Sequence, residues 1–269
     1  MKQFTLPKKI YFEKNSVSYL IKMENVERVL LLTSPETVEA GFVDIVRSTL
    51  QKRKNFVSIE VSAFGKENAS ETIQSNIDLA TQFKADTIIT VGNTPVIKVA
   101  KEVAGATGIK HAVVPTSSSL GQEMIFESTK TLLPEIVIVD GQFIANQSSK
   151  RVLTSGLKAL GNAIGSYLSE ESNDYSEGLS LQATKTLVNT LELASATGDY
   201  DARENVHNAA AVAGIAANNT AFTGGFESVL NSLQTGENEE KAEDIVNYIG
   251  LENVEALVGK LTALKALAS

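Results

Sequence analysis

The stretch V-L-T-S-G-L-K-A-L-G-N-A-I-G, residues 152–165, divides the chain into two kinds of sequence. It lies within an Ala- and Leu-rich amphipathic segment, 150–169, whose period predicts a helix. Before it, short apolar runs alternate with helical patterns. After it, strand signals fade and helical patterns follow one another to the end. The expected division is an α/β domain over residues 1–148 and an all-helical domain over 149–269.

Working back toward the N-terminus, V-L-L-L at 29–32 is a continuous apolar run that suits a strand buried on both faces. Ser34 then stands as an N-cap with Pro35 at the first helical position, and Val38, Phe42, Ile45, Val46 and Leu50 recur at helical spacing. Further strands are read at 9–12, 56–61, 87–91, 112–114 and 136–139, with helices at 70–83 and 95–104 between them. Alternating strands and helices predict a Rossmann-like parallel sheet with helices on both faces. Ligands of such sheets sit outside the carboxyl ends of the strands. Those ends carry Thr33-Ser34, Gly92-Asn93-Thr94 and Pro115-Thr116-Ser117-Ser118-Ser119. Working forward, helices are expected at 175–197, 200–218, 226–233, 239–249 and 254–267, punctuated by glycines.

Composition narrows the function. A net charge of −8 over 269 residues argues against nucleic acid or an anionic membrane as the main partner. With no cysteine, disulfides and thiolate metal sites are impossible. No apolar run approaches a membrane span, and the opening M-K-Q-F-T-L-P-K-K lacks an apolar signal region, so the expected location is the cytoplasm.

Several motifs, in order, resemble one family. S-G-L-K-A-L-G-N-A-I-G-S-Y at 155–167 fits the frame T-G-x-D-A-L-x-H-A-I-E-A-Y without a gap. V-P-T-S-S-S-L-G-Q-E at 114–123 resembles P-T-T-x-G-T-G-S-E, and L-L-P-E-I-V-I-V-D at 132–140 resembles L-x-P-D-x-x-I-x-D. A-R-E-N-V-H-N-A-A-A-V-A-G-I-A-A at 202–217 is similar to a helix shared with the propanol dehydrogenases of bacterial microcompartments. The chain is identified as a member of the iron-containing, or group III, alcohol dehydrogenases. The resemblance implies a dehydroquinate synthase-like fold with a shortened helical half, a homodimer, a nicotinamide nucleotide and a metal ion.

The positions that would carry the chemistry differ. The family's metal-binding Asp and His correspond to Lys158 and Asn162, and its G-x-x-H-x-x-x-H segment reads G-G-F-E-S-V-L-N, placing Glu227 and Asn231 there. No iron or zinc is therefore expected. The cofactor loop G-G-G-S-x-x-D reads G-N-T-P-V-I-K, so Gly92, Asn93, Thr94 and Lys98 are the nucleotide-binding candidates, together with Ser34, Thr116 and Ser117. NAD(P) stays open as a ligand: Asn93-Thr94-Pro95 reads either as a phosphate cradle or as an ordinary N-cap followed by Pro. The serines read as nucleotide donors or as a solvated loop. Lys98 and Lys101 read as phosphate ligands or as routine exposed lysines.

Lys158 and Glu227 read as an acid–base pair or as an ion pair filling a vacated metal site, with Asn162 as neutral partner. His111 and His207 are not at metal spacing. The functional expectation is a member without metal-dependent dehydrogenase activity that keeps a binding or assembly role. The alternative is an NAD(P)-dependent oxidoreductase using Lys158 in place of a metal.

Overall fold

A computed structural model describes residues 3–53, 55–62, 69–118, 121–126, 133–220, 222 and 224–269. Contacts group the chain into two compact units. One comprises Pro7–Ser117 and Phe126–Phe143; the other comprises Met1–Leu6, Ser118–Ile125 and Ile144–Ser269. The chain thus passes between the units more than once, not at a single boundary near residue 148.

The first unit holds a six-stranded parallel sheet among the described residues. Its strands are β1 (Lys9–Phe12), β2 (Arg28–Thr33), β3 (Phe56–Val61), β4 (Thr87–Gly92), β5 (Lys110–Pro115) and β6 (Ile136–Val139), in the order β1-β6-β5-β4-β2-β3. Helices α1 (Pro35–Glu39), α2 (Phe42–Gln51), α3 (Ala69–Phe83) and α4 (Thr94–Thr107) connect them. The apolar run of β2 serves both faces, because successive side chains point to opposite sides. Val29 and Leu31 pack with Val43, Val46 and Leu50 of α2, whereas Leu30 and Leu32 pack with Ala80 of α3 and Val99, Ala100 and Val103 of α4.

One local reading changes. The single helix expected after Ser34 is broken at Gly41, whose φ of 75° is the left-handed region that glycine enters without steric cost. Ser16–Lys22 forms a 3-10 helix with Val17 and Leu20 buried.

The second unit is helical: α5 (Ser149–Leu168), α6 (Asp174–Ala196), α7 (Tyr200–Thr220), α8 (Phe226–Thr235), α9 (Glu239–Ile249) and α10 (Val254–Ala268). Capping fixes the starts of three. Ser148, Asn173 and Asn253 each accept a backbone N–H of the first turn, and Asn173 forms a reciprocal capping box with Ser176. Small residues let the helices approach. A Cβ on Gly156 of α5 would fall 2.3 Å from Leu191 Cδ1 of α6. A Cβ on Gly214 of α7 would fall 2.6 Å from the Gly121 carbonyl. That second contact explains why residues 118–125, next to the α/β segment in sequence, pack with the helical unit. The N-terminal segment joins the same unit through Thr5, whose N–H donates to Asn219 Oδ1 at 2.6 Å and whose carbonyl accepts from Asn219 Nδ2 at 2.8 Å. Among the described residues no helix is long and apolar enough to cross a membrane.

Candidate functional site

The strand order reverses at β2. From β2 the chain moves outward to edge strand β3, then returns to place β4 on the other side of β2. The connection through α2 packs on one face of the sheet, and α3 and α4 pack on the other. The chain therefore diverges beyond the carboxyl ends of β2 and β4, the place where open α/β sheets present ligand-binding crevices.

Most of the sequence candidates converge here. Thr33 pairs with Val91 and Gly92 pairs with Pro115, so Ser34, Gly92, Asn93, Thr94, Thr116 and Ser117 follow three adjacent strand ends. The Thr116 N–H donates to the Gly92 carbonyl at 2.9 Å. Ser34 is buried, and its hydroxyl lies 3.0 Å from the Thr37 hydroxyl across the first turn of α1. Lys98 is exposed, a turn further along α4. Ser119 lies outside the described residues.

The loop before α4 has its own packing logic. A Cβ on Gly92 would fall 2.8 Å from Val96 Cβ, so glycine is demanded by the first turn of α4 itself. Asn93 is the N-cap in extended conformation, yet its side chain makes no cap hydrogen bond. Thr94 is the first helical residue and Pro95 the second, which removes one N–H from the helix start. The loop is therefore a tight strand-to-helix turn with one helix-start donor fewer, and the Asn93 carboxamide is not used as a cap.

Lys101 departs from the exposed lysine expected: it is fully buried on α4. His111 is also buried, and its Nε2 lies 2.8 Å from the Thr90 hydroxyl. Burial, reinforced by the nearby Lys101 charge, lowers the His111 pKa to about 3, so the ring is neutral. His207 is buried in the helical unit with Nδ1 3.0 Å from the Ser118 hydroxyl.

The iron-containing alcohol dehydrogenase family model matches residues 7–132, and the model of the family's C-terminal domain matches residues 152–227. The chain belongs to the iron-containing alcohol dehydrogenase family. The aldehyde-alcohol dehydrogenase of Streptococcus pneumoniae is 28% identical over 277 residues, covering 87% of this chain and 31% of that protein. The NADPH-dependent butanol dehydrogenase of Clostridium saccharobutylicum is 25% identical over 254 residues, covering 81% of this chain and 65% of that protein. The chain thus spans under a third of the length of the aldehyde-alcohol dehydrogenase and just under two thirds of the butanol dehydrogenase. Among solved structures, the iron-containing alcohol dehydrogenase of Thermococcus thioreducens has the same fold, with a TM-score of 0.87 at 19% identity over 99% of this chain and 86% of that chain. The sulfoacetaldehyde reductase of Bifidobacterium kashiwanohense, solved in complex with NAD+, gives 0.86 at 15% identity, over 100% of this chain and 86% of that one.

Lys158, Asn162, Glu227 and Asn231, the positions that the sequence resemblance set against metal ligands, lie on α5 and α8. A Cβ on Gly161 of α5 would fall 2.6 Å from the Phe226 N, so α8 begins hard against α5 beside the buried Asn162. The ion pair expected between Lys158 and Glu227 does not form. Lys158 is exposed and makes no ion pair among the described residues. The Glu227 carboxylate accepts instead from Lys265 Nζ of α10 at 2.6 Å. The reason is helical phase. Phe226 is buried, and the next residue is turned about 100° around the axis, to the solvent side. Asn231 is exposed further along the same helix.

These side chains do not fit a metal ion: an ammonium cannot ligate one, and the single carboxylate is committed to a lysine. Among the described residues no group of three or more His, Cys, Asp or Glu is placed to hold a metal.

Proposed function

We propose that this family member binds a nucleotide at the β2/β4 crevice and does not carry out metal-dependent hydride transfer. The observation that carries the reading is the pairing of Glu227 with Lys265, beside an exposed Lys158. In metal-assisted alcohol oxidation the ion supports the developing alkoxide. The donor chemistry at these positions gives no such support. The nucleotide half of the reading draws on the strand-order reversal, the α4 helix start and the Asn93 carboxamide, which is not used as a cap. A binding or assembly role, including self-association, follows as part of the proposal.

The test has two arms. Calorimetric titration with NAD, NADH, NADP and NADPH is expected to detect binding of at least one; no binding of any at millimolar concentration overturns the nucleotide half. Oxidation of small alcohols after stripping and reloading with ferrous or zinc ion is expected to match a protein-free blank. Robust metal-dependent turnover overturns the other half. The alternative, an oxidoreductase using the exposed Lys158 as its acid, draws on the activities named for the relatives. It requires turnover that survives chelation and is lost in Lys158→Met.

A further inference from the structure

Thr33, read from the sequence as part of a ligand-facing strand end but given no role of its own, stands at the reversal point with its side chain fully buried. In a parallel ladder each paired residue bonds to the residues before and after its partner. The Thr33 carbonyl accepts from the Ser62 N–H at 3.1 Å on the β3 side, and the Gly92 carbonyl accepts from the Thr116 N–H at 2.9 Å on the β5 side. Thr33 pairs with Val91 at the last position of the β2–β4 ladder. Ser34 then leads into α1, with φ −110° and ψ 159°. The Val91 carbonyl accepts from the Thr33 hydroxyl, at 2.9 Å.

A buried side-chain bond thus ties β2 to β4 at the point where the two chains part. Ser34 and Gly92, the two walls of the crevice, each lie one residue beyond the bonded pair.

We propose that Thr33 is a positioning residue for the nucleotide: its bond to the Val91 carbonyl sets the separation of Ser34 and Gly92. The proposal rests on the nucleotide-binding reading above. Thr33→Val keeps the branched shape and removes the donor, whereas Thr33→Ser keeps the donor and removes a methyl group. Calorimetry on the full chain, with the nucleotide that binds the wild type best, is expected to show affinity weakened roughly tenfold in Thr33→Val, the scale of one buried hydrogen bond. Thr33→Ser is expected to stay within about threefold of wild type, because its hydroxyl still reaches the carbonyl. Thermal melts of the same samples identify a variant that fails to fold. Thr33→Cys, a weak donor of similar size to Ser, is the second variant and is expected to fall between the two. Equal affinity in the folded variants, or a loss that Thr33→Ser shares in full, overturns the proposal. Absence of nucleotide binding in the wild type is a different failure: it removes the nucleotide reading itself, and the assignment of Thr33 with it.

Discussion

Glu227 and Lys265, separated by 38 residues, bring carboxylate and ammonium to 2.6 Å on the surface of the helical unit. Glu227 lies in the first turn of α8 and Lys265 in the last turn of α10, so each charge complements the dipole of its own helix. Both side chains are substantially exposed, at 70% and 44%, so water screens the pair. A double-mutant cycle with Glu227→Ala and Lys265→Ala, followed by urea denaturation, is expected to give a coupling below about 1 kcal/mol. Molar salt should shrink it further. A coupling of several kcal/mol would show that the pair acts as a buried one.

His111 predicts an acid limb in the stability profile. Its pKa falls from an ordinary 6.5 to about 3 in the folded chain, through burial first and the Lys101 charge second. A depressed histidine favours the folded state fully above pH 6.5. That contribution is lost as pH drops from 6.5 toward 3, where the unfolded chain binds a proton that the folded chain refuses. The loss approaches about 1.4 kcal/mol per pH unit for one proton. His111→Gln keeps a polar partner for Thr90 but cannot titrate. Its urea-derived stability should fall less steeply than wild type between pH 6 and pH 4, by about one proton's worth. Parallel slopes would remove His111 from the account.

Arg203 is a buried latch within the helical unit. Its Nε donates to the Ala194 carbonyl at 3.0 Å, near the end of α6, and its Nη1 donates to the carbonyls of Ala145 and, at 2.8 Å, Gln147. Arg203→Met would orphan several carbonyls together, for an expected loss of roughly 3 kcal/mol or more in denaturation. Arg203→Lys should recover only part, because an ammonium cannot span them with a planar fork.

Two helical glycines make opposite predictions. A Cβ on Gly178 of α6 meets nothing within 4 Å, so Gly178→Ala should stabilise by about 0.5–1 kcal/mol through helix propensity. A Cβ on Gly214 of α7 strikes the backbone of Gly121. Gly214→Ala should lower the thermal midpoint and speed amide exchange at residues 122–125. Unchanged exchange there would show that the segment can shift without cost.

Most of the fold was legible because its elements are local. The buried run of β2, the N-cap at Asn93 and the long amphipathic periods after residue 149 each place an element from its own residues. The break at Gly41 was missed because Val38, Phe42, Ile45 and Val46 keep a helical period across it, and periodicity alone does not register one residue at positive φ.

The site was legible to a lesser degree. The strand-end candidates came from topology, since strand order brings their loops side by side whatever their side chains do. The Lys158–Glu227 pair failed because a family frame gives positions but not rotation about the helix axis, and the cation that Glu227 uses is supplied by a helix beginning 27 residues later. Thr33 was legible as a strand-end position but not as a bond: whether its hydroxyl reaches across the ladder depends on the spacing of β2 and β4.

By itself, then, the sequence determined the α/β-then-helical order and the parallel sheet, because propensity, period and residue type are carried by the residues themselves. Only the tertiary structure decided which charges meet, which lysine is buried, how residues 1–6 and 118–125 join the helical unit, and which hydroxyl closes β2 onto β4. Those outcomes depend on distances between residues remote in the chain, and such distances are set by the packing of whole elements.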